Sequence, residues 1–278
     1  MRKSSFGFLL LLLIAAGFLI AGPRLFWESV ENSAYSGTEL FEIYTDADVA
    51  VTASKLINEG KTTARFITPL DDTEFFLAYF NAGTWKAVDY ITIRERRKDG
   101  SITLEWHTHE ADEMLESLPG MAQKAVDSVI TPGMTNVQKY KALHDWLILN
   151  CEYDQDGVSN FYGQSSWTVF NDGIAVCEGY ANAFKLLCDM AGLPCVVVSG
   201  TSGGVPHGWN MVPHDGRWLY IDPTFDDPII NGRSDYNKLE KHNEKYFMLT
   251  ESEMYSDHEL NLNFFLLAVK LYPDWEDY

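Results

Sequence analysis

Cys177, His207 and Asp222 are the residue types of a thiol-based nucleophilic centre, and their surroundings bear on whether they form one. Cys177 stands in "AVCEGYANAF", where a thiol is followed by an acidic residue and a glycine and then by an apolar pattern. Apolar positions recur at Cys177, Tyr180, Ala181, Phe184, Leu187, Cys188 and Ala191, the one-face spacing of an amphipathic helix. Gly192 and Pro194 supply the stop, and the loop-like Asn171-Asp172-Gly173 precedes the start. The spacing predicts a helix that begins at or near Cys177. Unpaired backbone N–H groups and the positive end of the helix dipole both favour a thiolate there. Gly179 lets another segment approach closely. Taken alone, Cys177 reads equally as a small apolar residue at a helix start.

A thiolate nucleophile needs a base and a group to orient the base. "VPHGWNMVPHDGRWLYIDPTFDDP" offers both on one predicted hairpin. His207 to Val212 reads as a strand, Pro213 to Gly216 as the turn, and Arg217 to Asp222 as the returning strand. A four-residue turn pairs Val212 with Arg217 and sets His207 opposite Asp222. If Asp215-Gly216 alone turn the chain, Asp222 pairs with Trp209 and lies diagonal to His207. Both registers put imidazole and carboxylate on one sheet face, because side chains alternate with period two. Trp209, Met211, Trp218 and Tyr220 share that face, an aromatic wall against which the charge interaction strengthens. Asp222 then fixes the imidazole tautomer and His207 takes the thiol proton.

"GIAVCEGYANAFKLLCDMAGLPCVVVSG", "HGWNMV" and "WLYIDPTFDDP", in that order, resemble the bacterial transglutaminase-like domain of the papain-like cysteine-enzyme superfamily. "KYKALHDWLILNCEYD" and "YFMLTESEM" resemble its flanks, so the resemblance runs from Thr131 to Met254. It implies an α+β fold, a papain-like transglutaminase core in which the cysteine helix packs on an antiparallel sheet. It also implies Cys177 as nucleophile, His207 as general base and Asp222 as orienting acid. An oxyanion takes the Cys177 backbone N–H and one side chain from the preceding loop, with Gln164 and Trp167 as candidates. Trp209 and Tyr220 are the substrate-pocket candidates. His144-Asp145 matches a recurring pair of the family, read as helix packing with a buried hydrogen bond. Asn210 is read as an outward strand position rather than a substrate contact.

The elements that must position these groups can be followed from the start of the chain. "MRKSSFGFLLLLLIAAGFLIAGP" has a basic start at Arg2 and Lys3 and an apolar run from Phe6 to Gly22. Residues 1–23 read as a retained signal anchor because Pro23 directly follows the small Ala21 and Gly22; a cleaved signal peptide is the alternative. Residues 24–36 read as a tether and 37–115 as a strand-rich accessory α+β region. Its expected strands are "TELFEIYT", "TTARFIT", "YITIRERR" and "SITLEWHT", the last two joined at Lys98-Asp99-Gly100. A short helix capped by Asp72 and ending at Gly83 is expected between them. Residues 116–278 read, by the resemblance, as the transglutaminase-like domain, with its motif core over 131–254. "EADEMLESLPGMAQKAVDSVI" reads as a helix interrupted at Pro119-Gly120. Thr135 caps a further amphipathic helix through Val137, Tyr140, Leu143, Leu147 and Cys151.

The 278-residue chain is 46% hydrophobic and 14% aromatic, a globular composition. A formal charge of −19 and a pI near 4.6 argue against nucleic acid as a partner. The expected partners are protein or peptide substrates, cell-wall or surface peptides among them, and the membrane through the N-terminal segment. Of the four cysteines, Cys188 and Cys195 are close enough to pair across a turn, but buried unpaired thiols are the preferred reading. No cofactor or metal is expected. The acidic loop from Asp154 fails as a calcium site at Val158 and Ser165, and a zinc set of Cys188, Cys195, His207 and His214 has the wrong cysteine spacing. The function read from these residues is acyl transfer or hydrolysis on peptide or carboxamide bonds through a thioester on Cys177. The rivals are a surface-binding module on the same scaffold and a cysteine peptidase of cell-wall or surface peptides.

Overall fold

Thr45 opens the first helix, α1 (Asp46–Asn58), because its hydroxyl accepts the Asp48 N–H at 3.2 Å. Asp46 and Asp48 suit the positive end of the helix, and Val49, Ala53, Leu56 and Ile57 are buried at helical spacing. The expected long strand "TELFEIYT" is therefore cut short. Only β1 (Leu40–Glu42) is extended, and the residues after it turn into the cap of α1. β1 runs parallel to β2 (Thr63–Ile67), which pairs antiparallel with β4 (Ile102–Thr108), which pairs with β3 (Val88–Arg96). The expected β3–β4 turn is present: Gly100 takes φ 86° and the Asp99 carboxylate accepts the Ser101 N–H at 2.9 Å. Phe66 and Phe75 meet edge to face at 5.2 Å in the core between this sheet and α1.

The computed structural model describes residues 37–71, 74–75, 78, 85–86, 88–108, 112–155, 163–227, 229–230, 233–234, 244–260 and 264–278. The expected signal segment and tether, and the Asp72 cap and Gly83 end of the short helix, lie outside them. No helix of the described residues is long and apolar enough to cross a membrane.

α2 (Asp112–Val129) runs through Pro119 without a break, contrary to the interruption expected there. A proline inside a helix costs about 3 kcal/mol through its missing N–H and its clash with the preceding turn. Leu118, Ala122, Ala125 and Val126 bury one continuous stripe across it in the same core as Phe184 and Leu187, and that packing holds the helix together. α3 (Asn136–Asn150) starts as expected, with Thr135 and Gln138 forming a reciprocal capping box.

Next come β5 (Glu152–Tyr153), α4 (Ser166–Asn171), β6 (Ile174–Ala175) and α5 (Cys177–Met190). β7 (Val196–Ser202), β8 (Val205–His214) and β9 (Arg217–Ile221) follow, then α6 (Pro223–Asp226), β10 (Ile229–Ile230) and β11 (Arg233–Ser234). The chain ends with α7 (Glu251–Met254), β12 (His258–Leu260), α8 (Phe264–Leu271) and a short 3₁₀ turn. The second sheet has the order β12-β7-β8-β9, antiparallel throughout. Its two faces bury different cores. Val212 and Ile221 face the α5 side with Phe184, Leu187 and Tyr140, while Val198, Trp209, Met211 and Tyr220 pack with Phe264, Leu267 and Met254. Each large apolar side chain so buried contributes about 1.5–3 kcal/mol. α8 also contacts α1, where Lys270 pairs with Asp48, and residues Thr38–Tyr278 form one compact unit.

Candidate active site

The β8–β9 hairpin turns on Asp215-Gly216 alone, at φ 50° and 67°, the left-handed pair that a tight two-residue hairpin requires. His214 pairs with Arg217 and Asn210 with Ile221, so the second of the two expected registers is the one formed. Asp222 then leaves the ladder and caps α6, with Pro223 in its first turn. Its Oδ1 accepts the N–H of Thr224 at 2.9 Å and of Phe225 at 3.2 Å, which leaves Oδ2 for His207 Nε2 at 2.6 Å. His207 lies against Trp209 (5.7 Å, 23°) and Phe225 (4.7 Å). Of the expected wall Trp209 meets the ring, and Phe225 of α6 joins it.

Cys177 opens α5. Val176 is its N-cap and offers no side-chain acceptor, so no side chain caps the positive end of the helix at that residue. Gly179 lets the start of α5 fit, since a Cβ there would stand 2.4 Å from the Gly163 carbonyl oxygen; on the β8 side Gly208 faces Glu178, with room for a Cβ at 3.7 Å from its Cα. The tip of α5 thus lies on β8 beside His207, where β8 has run past its last pair with β9. The Cys177 sulfur lies near enough to the His207 ring to favour its charged form. Since Nε2 is held by Asp222, Nδ1 is the nitrogen left for sulfur. Cys177 is partly exposed and the other three thiols are buried, none of the four in a disulfide.

Burial is the largest influence on His207 and works against the charged ring. The charge and hydrogen bond of Asp222, with those of Cys177, outweigh it and hold the imidazole up at about 10. For Asp222 burial again comes first and opposes ionisation, yet His207 and His258 bring the carboxyl down to about 2. The pair is therefore an imidazolium–carboxylate pair at neutral pH.

Two neighbours were absent from the sequence reading. Tyr153 on β5 is pushed up to about 12, by burial first and then by the charges of Cys177, Asp154 and Asp222. His258, on β12, brings Nε2 to 3.2 Å from Asp222 Oδ2 and Nδ1 to 2.7 Å from Asp257 Oδ1. The flank recognised in the sequence stopped at Met254, just short of it.

The remaining candidates divide. Of the oxyanion candidates, Gln164 follows Gly163, whose carbonyl accepts the Val176 N–H at 2.9 Å, and its own carbonyl accepts from Asn182 at 3.0 Å; Trp167 packs partly buried on the core. Trp209 is corrected. It is 0% exposed behind the two imidazoles, because Gly200, two residues along β7 from its partner Val198, leaves room for its ring, so it supports the site and does not line a pocket. Tyr220 is 5% exposed and borders a shallow cleft of about 580 Å³ with Tyr255, His258, Phe264 and Phe265. Asn210 is also corrected. Period two turns it inward, where Nδ2 donates to Ala181 O at 2.9 Å. His144 matches its packing role, buried between Asp145 at 3.1 Å and Asp226 at 3.2 Å.

Among the described residues, one group of possible metal ligands converges: His207, Asp222 and His258, with ligand atoms within 4.8 Å of one another. It is not the Cys188-Cys195-His207-His214 set. Both Nε2 atoms already face one carboxylate oxygen at hydrogen-bond distance, so a cation would have to displace both protons.

Comparison with known proteins defines the class. Residues 123–223 match the model of the transglutaminase-like superfamily, a segment that holds Cys177, His207 and Asp222. The chain thus carries a transglutaminase-like domain. It is similar to the kyphoscoliosis peptidases of Mus musculus and Homo sapiens, each 26% identical over 148 residues, 48% of this chain and 22% of theirs. The matched part is about a fifth of the length of those curated relatives. A crystal structure of a TGase superposes with a TM-score of 0.39 at 18% identity, over 76% of this chain and 64% of that one.

Proposed function

We propose that the protein is an exported or membrane-anchored, cysteine-dependent acyl-transfer enzyme acting on peptide or carboxamide carbonyls. The observation that carries this reading is the buried His207–Asp222 pair, joined at 2.6 Å, with a partly exposed sulfur beside the imidazole at the start of α5. In the proposed reaction His207 already holds the proton as an imidazolium, and the Cys177 sulfur beside it attacks the carbonyl carbon as a thiolate. The first turn of α5 faces the developing oxyanion with backbone N–H groups, and Gln164 is the side chain best sited by its backbone to join them. As the tetrahedral intermediate collapses, the carbon–nitrogen bond breaks and the leaving amine takes the proton from His207. Water or a second amine then displaces the thioester with His207 as base, giving hydrolysis in one case and cross-linking in the other. The resemblance to proteins named peptidases supports a peptide as the acyl donor.

Alkylation tests the reading directly. Iodoacetamide should label Cys177 fast down to low pH in the wild type and slowly in His207→Ala, the three buried thiols staying unlabelled in both. An equally slow, ordinary thiol in both proteins would leave a binding module. Glutamine-peptide and amine-donor screens then distinguish hydrolase from transferase. N-terminal sequencing of membrane-extracted protein tests the anchor: survival of the residues before Pro23 supports retention.

A further inference from the structure

Asp222 receives one more side-chain donor than a Cys-His-Asp centre requires. Two backbone N–H groups of α6 hold its Oδ1, while Oδ2 faces two imidazoles, His207 at 2.6 Å and His258 at 3.2 Å. We propose that His258 is a positioning residue for the Asp222–His207 pair; this rests on the acyl-transfer reading above.

With Oδ1 tethered, the remaining freedom of the carboxylate is the swing of Oδ2, and His258 removes it. His258 is itself clamped. Each of its ring nitrogens faces a carboxylate oxygen, and the far one, Asp257, is held in turn by the Tyr246 hydroxyl at 2.6 Å. Trp209 at 4.9 Å, Phe225 at 4.9 Å and Tyr246 at 5.6 Å box the ring, whose side chain has 0% exposure. The backbone behind it is fixed as well: β12 pairs His258 with Ser202 and Leu260 with Gly200.

An apolar residue would fill that box without the cost of burying two polar nitrogens. Packing alone does not call for a histidine there. Its position also lies outside the matched segment, 36 residues after Asp222, so a C-terminal strand completes the centre that the transglutaminase-like segment begins.

The test uses the purified full chain and compares wild type, His258→Phe, His258→Gln and His207→Ala by thermal midpoint and by the iodoacetamide rate at Cys177 against pH. His258→Phe keeps the ring and removes both nitrogens; it should slow Cys177 at neutral pH about tenfold, the scale of one hydrogen bond to a charged group, and displace the acid limb of the profile. His258→Gln, whose amide still donates, should recover most of the rate. A purely structural residue would change the midpoint and leave the pH profile alone. Wild-type rate and profile in a folded His258→Phe, with His207→Ala slow, would overturn the positioning role and spare the acyl-transfer reading. If His207→Ala is also fast, that reading falls and this one with it. Should His258→Phe not fold, proton NMR of the wild type decides: two exchange-protected low-field ring N–H signals, from His207 and His258, are expected, and absence of the second overturns the proposal.

Discussion

Two buried carboxylates stand at opposite ends of α6 and are charged on different terms. Asp222 and Asp226 are both 0% exposed, and each faces an imidazole. Yet Asp222 is brought down to about 2, whereas Asp226 is pushed above the usual carboxylate range, by burial first and then by the charge of Asp222. The donors account for the difference. Asp222 collects two imidazoles and two backbone N–H groups; Asp226 has the Tyr246 N–H at 3.0 Å and His144 at 3.2 Å, off the hydrogen-bond line. His144 shares itself with Asp145, which Lys141 also holds at 2.6 Å. Burial is common to both centres, so burial does not mark the reactive one. The number of donors and the nearby thiol do.

The same substitution should therefore have opposite consequences at the two positions. Asp222→Asn presents an amide N–H to rings that were themselves donating. Alkylation of Cys177 and any turnover should fall about a thousandfold, with a stability loss of about 1–3 kcal/mol. Asp226→Asn replaces a carboxylate that burial already pushes toward its neutral form, and its oxygen still accepts from Tyr246. Stability should stay within about 1 kcal/mol and the Cys177 rate within a few-fold. Urea titrations beside labelling kinetics measure both, and equal rate losses would erase the distinction drawn between the two centres.

Gly200→Ala reaches the Asp222 centre from behind. Its Cβ would stand 1.8 Å from the Glu259 carbonyl, so β12 must move, and His258 with it. A loss of about 1–3 kcal/mol is expected, together with a several-fold slower Cys177 that resembles His258→Phe in its pH profile. Gly179→Ala, tight against Gly163, displaces the start of α5 and Cys177 with it, so it should cost stability and slow the thiol while β12 and His258 stay in place. A Gly200→Ala protein with the wild-type profile would detach β12 from the site.

Stability against pH separates the two centres again, more gently. His207 has its pKa raised to about 10, so its contribution is full below the ordinary imidazole value of about 6.5 and fades as pH rises toward 10. Asp222 is lowered, so its contribution holds above the ordinary carboxylate value and fades as pH falls toward about 2. The thermal midpoint of the wild type should therefore exceed that of His207→Ala most between about pH 4 and 6.5, the gap narrowing toward pH 10. Asp226 has the opposite sign: its pKa is raised, so acid relieves its cost, and the wild type should gain on Asp226→Asn as pH falls.

The three candidate catalytic side chains were legible because each stands at punctuation. Cys177 follows a loop, His207 opens a run of alternating residues, and Asp222 precedes a proline. The hairpin register stayed open between two choices until the backbone at Asp215 and Gly216 decided it. His258 was not legible. It belongs to a three-residue strand and reaches Asp222 only because β12 joins the sheet beside β7, a pairing no local pattern announces. Asn210 is not outward because a strand with both faces buried has no outward side, and Trp209 lies on the expected face but is covered there by α8 and α7 residues. α1 has an ordinary start signal in Thr45, Asp46 and Asp48, yet it sits among strand-forming segments and its small buried residues, Ala47, Ala50 and Ala53, give a faint apolar stripe. At Pro119 local propensity lost to packing, which sequence periodicity alone does not weigh.

The smallest expected effect isolates the quieter centre. Thr135 caps α3, the helix that carries His144 into contact with Asp226, and it does so through a capping box whose Gln138 returns a hydrogen bond at 2.9 Å. Thr135→Ala removes the hydroxyl and should cost about 1 kcal/mol, visible as a lower urea midpoint with an unchanged slope. Tyr140, Leu143 and Leu147 stay buried, so the helix frays only at its start. Cys177 labelling should be the same as in the wild type at every pH. A slower thiol in this variant would mean that the His144–Asp226 contact transmits to Asp222 through the single turn of α6, and that the two carboxylates form one centre after all.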